Sequence, residues 1–324
     1  MAPRRTRKQL TMEKCVVCSN MTSEFNYKVT SCNTCKMVFR RAIRSKNPIA
    51  PCTCSTSKKG CRICKFYACV RAGMDIKSLI ILPKLLEQLS SLNENRLQIF
   101  FNFQMTQDLG IEEIMNRGFV KKRENNVVFT AHDWVSMEVY STIQFMKGLN
   151  VVNLLTTQDL MYFTKNAYFK SALFFISVRS YTEKWECMTF PGHLDVFPEE
   201  MSKSAYNPVL LNRIRCLLIS KFIEFNVTQD ELLLLIAIIF CDPCPEDLSS
   251  DAVNVISQFR SIYTSALFNV CCQKGNKTGA IRYMNLICIS NILTKTMVDL
   301  NQAVELFRYW QPDLPLRKLV SDSF

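Results

Sequence analysis

Between Cys15 and Met74 the chain carries nine of its sixteen cysteines, and the first four, Cys15, Cys18, Cys32 and Cys35, are spaced C-x2-C-x13-C-x2-C. Two close pairs separated by a loop can place four thiolates tetrahedrally around one Zn²⁺. The second pair runs directly into Lys36-Met37-Val38-Phe39-Arg40-Arg41, and a basic helix growing from a metal-pinned pair is a means of entering a DNA groove. A segment this small cannot build a full apolar core, so the metal acts as its staple.

The spacing predicts a helix from Asn33 to about Ser45 with two faces. Val38, Phe39 and Ala42 turn inward, and Lys36, Arg40, Arg41 and Arg44 turn outward. Charge is placed unevenly along the chain. Residues 1–77 hold 17 Lys and Arg against 3 Asp and Glu, or +14, whereas residues 78–324 hold 23 against 25, or −2. A localised basic block calls for a polyanion, with phosphate contacts and salt-dependent affinity; the plain alternative is a solvated basic face. Residues 1–11 form a basic arm, Arg4, Arg5, Arg7 and Lys8, suited to a minor groove, to phosphates or to a nuclear import signal. No apolar segment of secretory type follows Met1, and the longest apolar run, Leu232 to Cys241, is too short to span a bilayer. A reducing compartment and no membrane partner are therefore expected, with the cysteines as zinc ligands and buried thiols rather than disulfides.

The stretch resembles the DNA-binding domain of a nuclear hormone receptor, and its abbreviated second half resembles the expanded nematode-type receptors. Tyr27 and Val29 match the family's Tyr-x-Val, Phe39-Arg40-Arg41 its Phe-Arg-Arg, Gly73-Met74 its closing Gly-Met, and Cys61-x2-Cys64-x4-Cys69 its last three cysteines. The resemblance implies a small α zinc-module with two zinc sites. Base-reading positions fall on Asn33, Thr34, Lys36, Met37, Arg40 and Arg41. Arg and Lys suit guanine O6/N7, and Met37 suits a thymine methyl. Asn33-Thr34 stands where the family's specificity pair usually begins with Glu or Gly; Asn33 lacks the carboxylate that accepts from cytosine and can instead pair with adenine. Phosphate contacts fall on Arg44, Lys58, Lys59 and Lys65.

The second finger departs from the family. Cys52-x1-Cys54-x6-Cys61-x2-Cys64 is seven residues shorter between its first and third cysteines, and the loss removes nearly all of the dimerisation loop. Two expectations follow. This zinc site is strained, with Cys69 as the alternative ligand to Cys52 or Cys54, and cooperative dimerisation through the loop is weak or absent.

Residues 12–77 thus read as the zinc DNA-binding domain, 78–104 as a hinge leading into a helical region, interrupted at Pro83 and with Leu79, Ile80, Leu82, Leu85, Leu86 and Leu89 apolar at roughly helical spacing, and 105–324 as an all-α domain. Lys121 to Asn126 reads as a surface loop. Phe145-Met146-Lys147, Leu155, Asp159 and Lys165 match the helix 3 to helix 4 signature of a nuclear-receptor ligand-binding domain, with Leu160 in place of its Gln. The resemblance implies an all-α helical sandwich with a coregulator surface at Lys147 and Lys165. It also implies a small lipophilic ligand, transcriptional coregulators and homo- or heterodimers through the helical domain. Thr228 and Glu231 form a capping box ahead of a helix that is apolar nearly all round, which fits a central layer. In the family a Glu on the final short helix pairs with the helix 3 Lys to clamp a coactivator helix. Here that Glu is absent and Arg317 and Lys318 occupy its neighbourhood, so the usual clamp should be weak, absent or rearranged.

An enzyme is not expected. His132 and His193 are the chain's two histidines, and neither lies in an HExxH motif, a nucleophile elbow or a Cys/His constellation. Double-stranded DNA and the nucleus fit the basic zinc module. The competing reading is a regulatory partner that acts through its helical domain without binding DNA, favoured by the short second finger. A third is a helical domain around a structural lipid, although 22 Phe and 14 Met can also fill such an interior with side chains.

Overall fold

Four cysteines anchored near the N-terminus need tight backbone turns around them, and the chain supplies these with two short antiparallel pairs. A computed structural model of the chain describes residues 12–45, 54, 61–80, 82–116, 120–203, 207–242, 248–273, 276–314 and 316–323. Strand β1 (Glu13–Lys14) pairs with β2 (Met21–Thr22), and β3 (Phe25–Asn26) with β4 (Val29–Thr30). Tyr27 and Lys28 turn the second pair with φ of 51° and 73°. Helix α1 (Asn33–Arg44) starts immediately after Cys32, and α2 (Arg62–Arg71) crosses it. Their shared core is aromatic: Phe39 lies 5.0 Å from Tyr27 and 6.0 Å from Phe66, ring centre to ring centre. Gly73, at φ +87°, ends α2 in the left-handed conformation that glycine adopts without penalty. Met74 then donates its amide to the Cys69 carbonyl and is fully buried.

The next element is a long helix in the region expected to lead from the hinge into helix. Within 78–104 runs the 21-residue helix α3 (Leu82–Asn102), which packs on the helical domain through Leu85, Leu89, Asn93, Arg96 and Phe100. Pro83 does not break it. Proline in the first turn lacks an N–H that has no intrahelical partner anyway. The short helix α4 (Ile111–Asn116) follows. Then come α5 (Ala131–Lys147), α6 (Thr157–Thr182), α7 (Glu199–Lys203), α8 (Pro208–Phe225), α9 (Gln229–Phe240), α10 (Ser250–Cys272), α11 (Asn276–Trp310) and α12 (Lys318–Ser321). Helix α9 is the central layer: all of its residues from Glu231 to Phe240 are buried, and it packs against α3, α6, α10 and α11. Its expected cap is present, with the Thr228 amide donating to Glu231 Oε2 at 2.8 Å. Arg282 of α11 reaches the same carboxylate.

Two strand pairs interrupt the helices. Strand β5 (Phe103–Met105) pairs with β6 (Val120–Lys122), and β7 (Thr189–Phe190) with β8 (Leu194–Asp195). Lys121 and Lys122, read as loop, therefore lie in a strand; two or three residues are too few to show a period of two. A charged cluster crosses the domain interior. Arg96 of α3 meets Glu138 of α5 at 2.6 Å, and Arg179 of α6 approaches the other Glu138 oxygen at 3.9 Å, with all three side chains buried. Arg96 also donates to Asn93 Oδ1 and lies 3.9 Å above the Phe175 ring.

The two units are in contact. Tyr67 of α2 donates to the Leu154 carbonyl at 2.8 Å in a buried position. Arg71 grips both Asp251 carboxylate oxygens on α10, and the Ile76 amide donates to Gln258.

Candidate nucleic-acid interface and metal centres

Each close Cys pair presents two sulfurs to a common point because a turn or a helix start sits between its members. The sulfurs of Cys15, Cys18, Cys32 and Cys35 lie within 4.8 Å of one another. Cys15 and Cys35 are 3.8 Å apart, and Cys18 and Cys32 are 3.5 Å apart. A tetrahedron with Zn–S bonds of about 2.3 Å has edges of about 3.8 Å, so the set fits zinc. Burial raises the Cys15 thiol pKa, but the backbone amides of Cys32, Val17 and Cys18 outweigh it and bring it down to about 6. Burial, followed by the crowding sulfurs of Cys18, Cys32 and Cys15, pushes the Cys35 thiol far up. Four crowded thiols of this kind resist joint ionisation until a divalent cation neutralises them.

A second group brings together the sulfurs of Cys54, Cys61 and Cys64. Cys52, expected with them, and Lys58 and Lys59 lie outside the described residues, as do residues 1–11. The alternative-ligand role for Cys69 is corrected. Its sulfur is fully buried in the module core, 3.8 Å from the Cys35 carbonyl, and it belongs to neither sulfur group. Five positions along a helix turn a side chain about 140° from Cys64. Burial raises the Cys69 thiol to about 12.

Helix α1 sorts its side chains as its periodicity requires. Cys35 and Phe39 are fully buried, whereas Asn33, Thr34, Arg41 and Arg44 are exposed and Lys36, Met37 and Arg40 half-buried. At 100° per residue those seven fall within an arc of about 160°. Helix α1 contains no acidic residue. Lys65 is half-buried on α2.

In the helical domain Asp159 accepts from the amide and hydroxyl of Ser249, at 2.9 and 3.0 Å, and so fixes the start of α10 next to Asp251. Lys147 and Lys165 are not equivalent. Lys165 is exposed on α6, whereas Lys147 is half-buried and donates to the Ile114 and Met115 carbonyls at 3.2 Å. Burial lowers its pKa. Arg317 pairs with Asp133 and Lys318 with Glu113, but Asp322, the C-cap of α12, accepts from the Ile111 amide at 2.9 Å. The sequence signal lay in α4 itself: Ile111-x-x-Ile114-Met115 is an apolar i, i+3, i+4 face.

Behind α12 is an apolar cavity of about 90 Å³, lined by His132, Leu173, Ile176, Met201, Leu316 and Val320 among others. No described helix is long and apolar enough to cross a membrane.

Comparison with known proteins agrees with both units. Residues 13–76 match the C4-type double treble clef zinc finger, and residues 117–309 match the ligand-binding domain of nuclear hormone receptor. The chain is similar to the nuclear hormone receptor family members nhr-27 and nhr-167 of Caenorhabditis elegans. Both are 32% identical to it; the alignments cover 93% and 96% of this chain and 89% and 96% of those proteins. The chain belongs to the nuclear hormone receptor family: a transcription factor with a zinc-stapled DNA-binding module and a helical ligand-binding-type domain. Zn²⁺ is the structural cofactor of that module.

Proposed function

We propose that α1 is the base-reading element, with Asn33, Thr34, Lys36, Met37, Arg40 and Arg41 at base edges and Arg44 and Lys65 on phosphates. The observation that carries this is the arrangement of α1, whose polar and basic residues share one face while Cys35 and Phe39 fix the opposite face in a four-sulfur core. Cys15, Cys18, Cys32 and Cys35 hold one zinc, and Cys54, Cys61 and Cys64 contribute to the second. Lys58 and Lys59 add phosphate contacts, and Cys52 completes the second site. The protein acts in the nucleus on double-stranded DNA.

Asn33 in place of an acidic residue should give a half-site different from the best-known hormone response elements. Selection of bound sequences from random DNA by the full-length protein checks this: a defined half-site with adenine at the Asn33 position is expected, and the standard hexamer would remove the Asn33 assignment.

A cavity of about 90 Å³ is smaller than one of about 150 Å³ that holds benzene. Behind α12 the apolar space is crowded by Phe169, Leu173, Ile176 and Met201, which supports regulation through docking surfaces more than through a large lipophilic ligand at that position. Exposed Ile281, Met284 and Val298 on α11 support pairing with a second receptor through the helical domain.

A further inference from the structure

We propose that helix α4 is an intramolecular plug: it occupies a groove that accepts a short amphipathic helix, and a coregulator helix binds this protein only by displacing it. The groove is assembled from distant parts of the chain. Lys147 comes from the end of α5, α6 packs along one side, and Asp322 comes from the cap of α12. The occupant is one local segment of six residues.

Both ends of α4 are held by charge of the favourable sign. At its N-terminus the Ile111 amide donates to Asp322 Oδ2 at 2.9 Å, and at its C-terminus the Ile114 and Met115 carbonyls accept from Lys147 Nζ at 3.2 Å. An anion at the first turn and a cation at the last oppose the helix dipole and satisfy backbone groups that a helix cannot satisfy itself. From residue 111 to residue 115 the axial rise is about 6 Å, so the two charges are set to measure a helix of one to two turns. Between them Ile111 and Ile114 are buried at 1% and 0% exposure, and Met115 is half-buried against the core. This is an i, i+3, i+4 anchor pattern, the one by which helices enter apolar grooves.

The plug and the residues just before it also engage α12. The Lys318 amide donates to Asp108 Oδ1 at 3.1 Å, and the Lys318 ammonium lies 3.7 Å from Glu113. Tyr168 donates to the Leu319 carbonyl at 2.8 Å from the opposite side. So α12 is seated while the groove is full, and the seated α12 supplies the carboxylate that holds the plug. A six-residue helix is too short to persist in water alone. It exists because the groove holds it, and a longer partner helix with the same anchor pattern competes for the same two charges.

The inference concerns the helical domain, and its test uses no DNA, so it stands or falls separately from the base-reading assignment. The probe is a fluorescein-labelled peptide carrying one Leu-x-x-Leu-Leu helix, titrated with the full-length protein. With the groove self-occupied in most molecules, the apparent affinity of the unaltered chain is reduced by the fraction open. Ile111→Ser with Ile114→Ser is expected to tighten peptide binding about ten-fold or more. Adding Lys147→Ala to that variant should abolish the gain. A folded double variant that binds the peptide no tighter, or whose gain survives Lys147→Ala, overturns the proposal. Should the serine pair not fold, Ile111→Ala with Ile114→Ala, which keeps helix propensity and removes only the anchors, is read against the same two outcomes.

Discussion

Chelating zinc from the full-length protein is expected to abolish DNA binding and to unfold residues 13–76, while the helical domain keeps its own melting transition. Among the described residues the module's interior consists of little more than Phe39, Phe66, Tyr67, Val70, Met74 and Ile76 around the buried cysteines. Its described strands are two residues each and its described helices 12 and 10. Apolar burial on this scale does not offset the entropy of ordering some sixty residues at about 1–2 kcal/mol each for the backbone alone. Structural zinc supplies about 10–16 kcal/mol of apparent binding energy at neutral pH, comparable with the whole net stability of an ordinary domain, about 5–15 kcal/mol. Hydrogen exchange resolved along the chain checks this: amides of α1 and α2 should lose protection in chelator and regain it with Zn²⁺ but not Mg²⁺, whereas α9 should stay protected. Cys35→Ser should mimic chelation. Cys69→Ser should cost only the adjustment of a core thiol, since its sulfur belongs to neither group.

Glu138→Ala should destabilise the helical domain by about 3–5 kcal/mol, the range seen when one partner of a buried ion pair is removed. Glu138 is fully buried between Arg96 and Arg179, which are themselves 2% and 5% exposed. Burial raises the Glu138 carboxyl pKa and lowers that of the Arg96 guanidinium, and in each case the attraction between them opposes the shift. Removing the carboxylate leaves Arg96 without its anion partner and leaves Arg179 only the more exposed Glu183, 3.9 Å away. The Phe175 ring under Arg96 and the Thr189 carbonyl beside Arg179 retain part of their stabilisation. Urea unfolding of the full-length variant, followed by helical signal, should show the midpoint falling with little change in slope. Glu138→Gln should cost less, because an amide can still accept from Arg96.

What could be read from the sequence, and what could not, follows the range of each interaction. Metal ligands in close pairs are a local pattern, so Cys15, Cys18, Cys32 and Cys35 could be grouped from spacing alone, and the sorting of α1 followed from a period of 3.6. The capping box at Thr228 and Glu231 was legible for the same reason. In the segment 78–104 the helical spacing of the leucines was legible but the full extent of α3 was not, because Pro83 looks like a break when it sits in a first turn, and because the inward stripe of α3 carries Asn93 and Arg96 among its apolar residues. A helix that buries an arginine shows no clean apolar face until its partner, Glu138, is located 42 residues later. Asp322 was missed because α12 is only four residues long and the acid caps it from beyond its end. The docking of Tyr67 on Leu154 has no local sequence signature, since the two lie 87 residues apart.

The proposed reading of bases by α1 is distinct from merely holding phosphates. The most direct test is the affinity of the full-length protein for its selected site and for a shuffled duplex, measured against salt, with and without Arg41→Ala. Losing one good base contact costs about 1–3 kcal/mol, so Arg41→Ala should weaken the selected site by roughly 5- to 150-fold and the shuffled duplex far less. Equal affinity for both duplexes, a steep salt slope and an equal loss on both in the variant would mean that this helix holds phosphates alone, and would contradict the account.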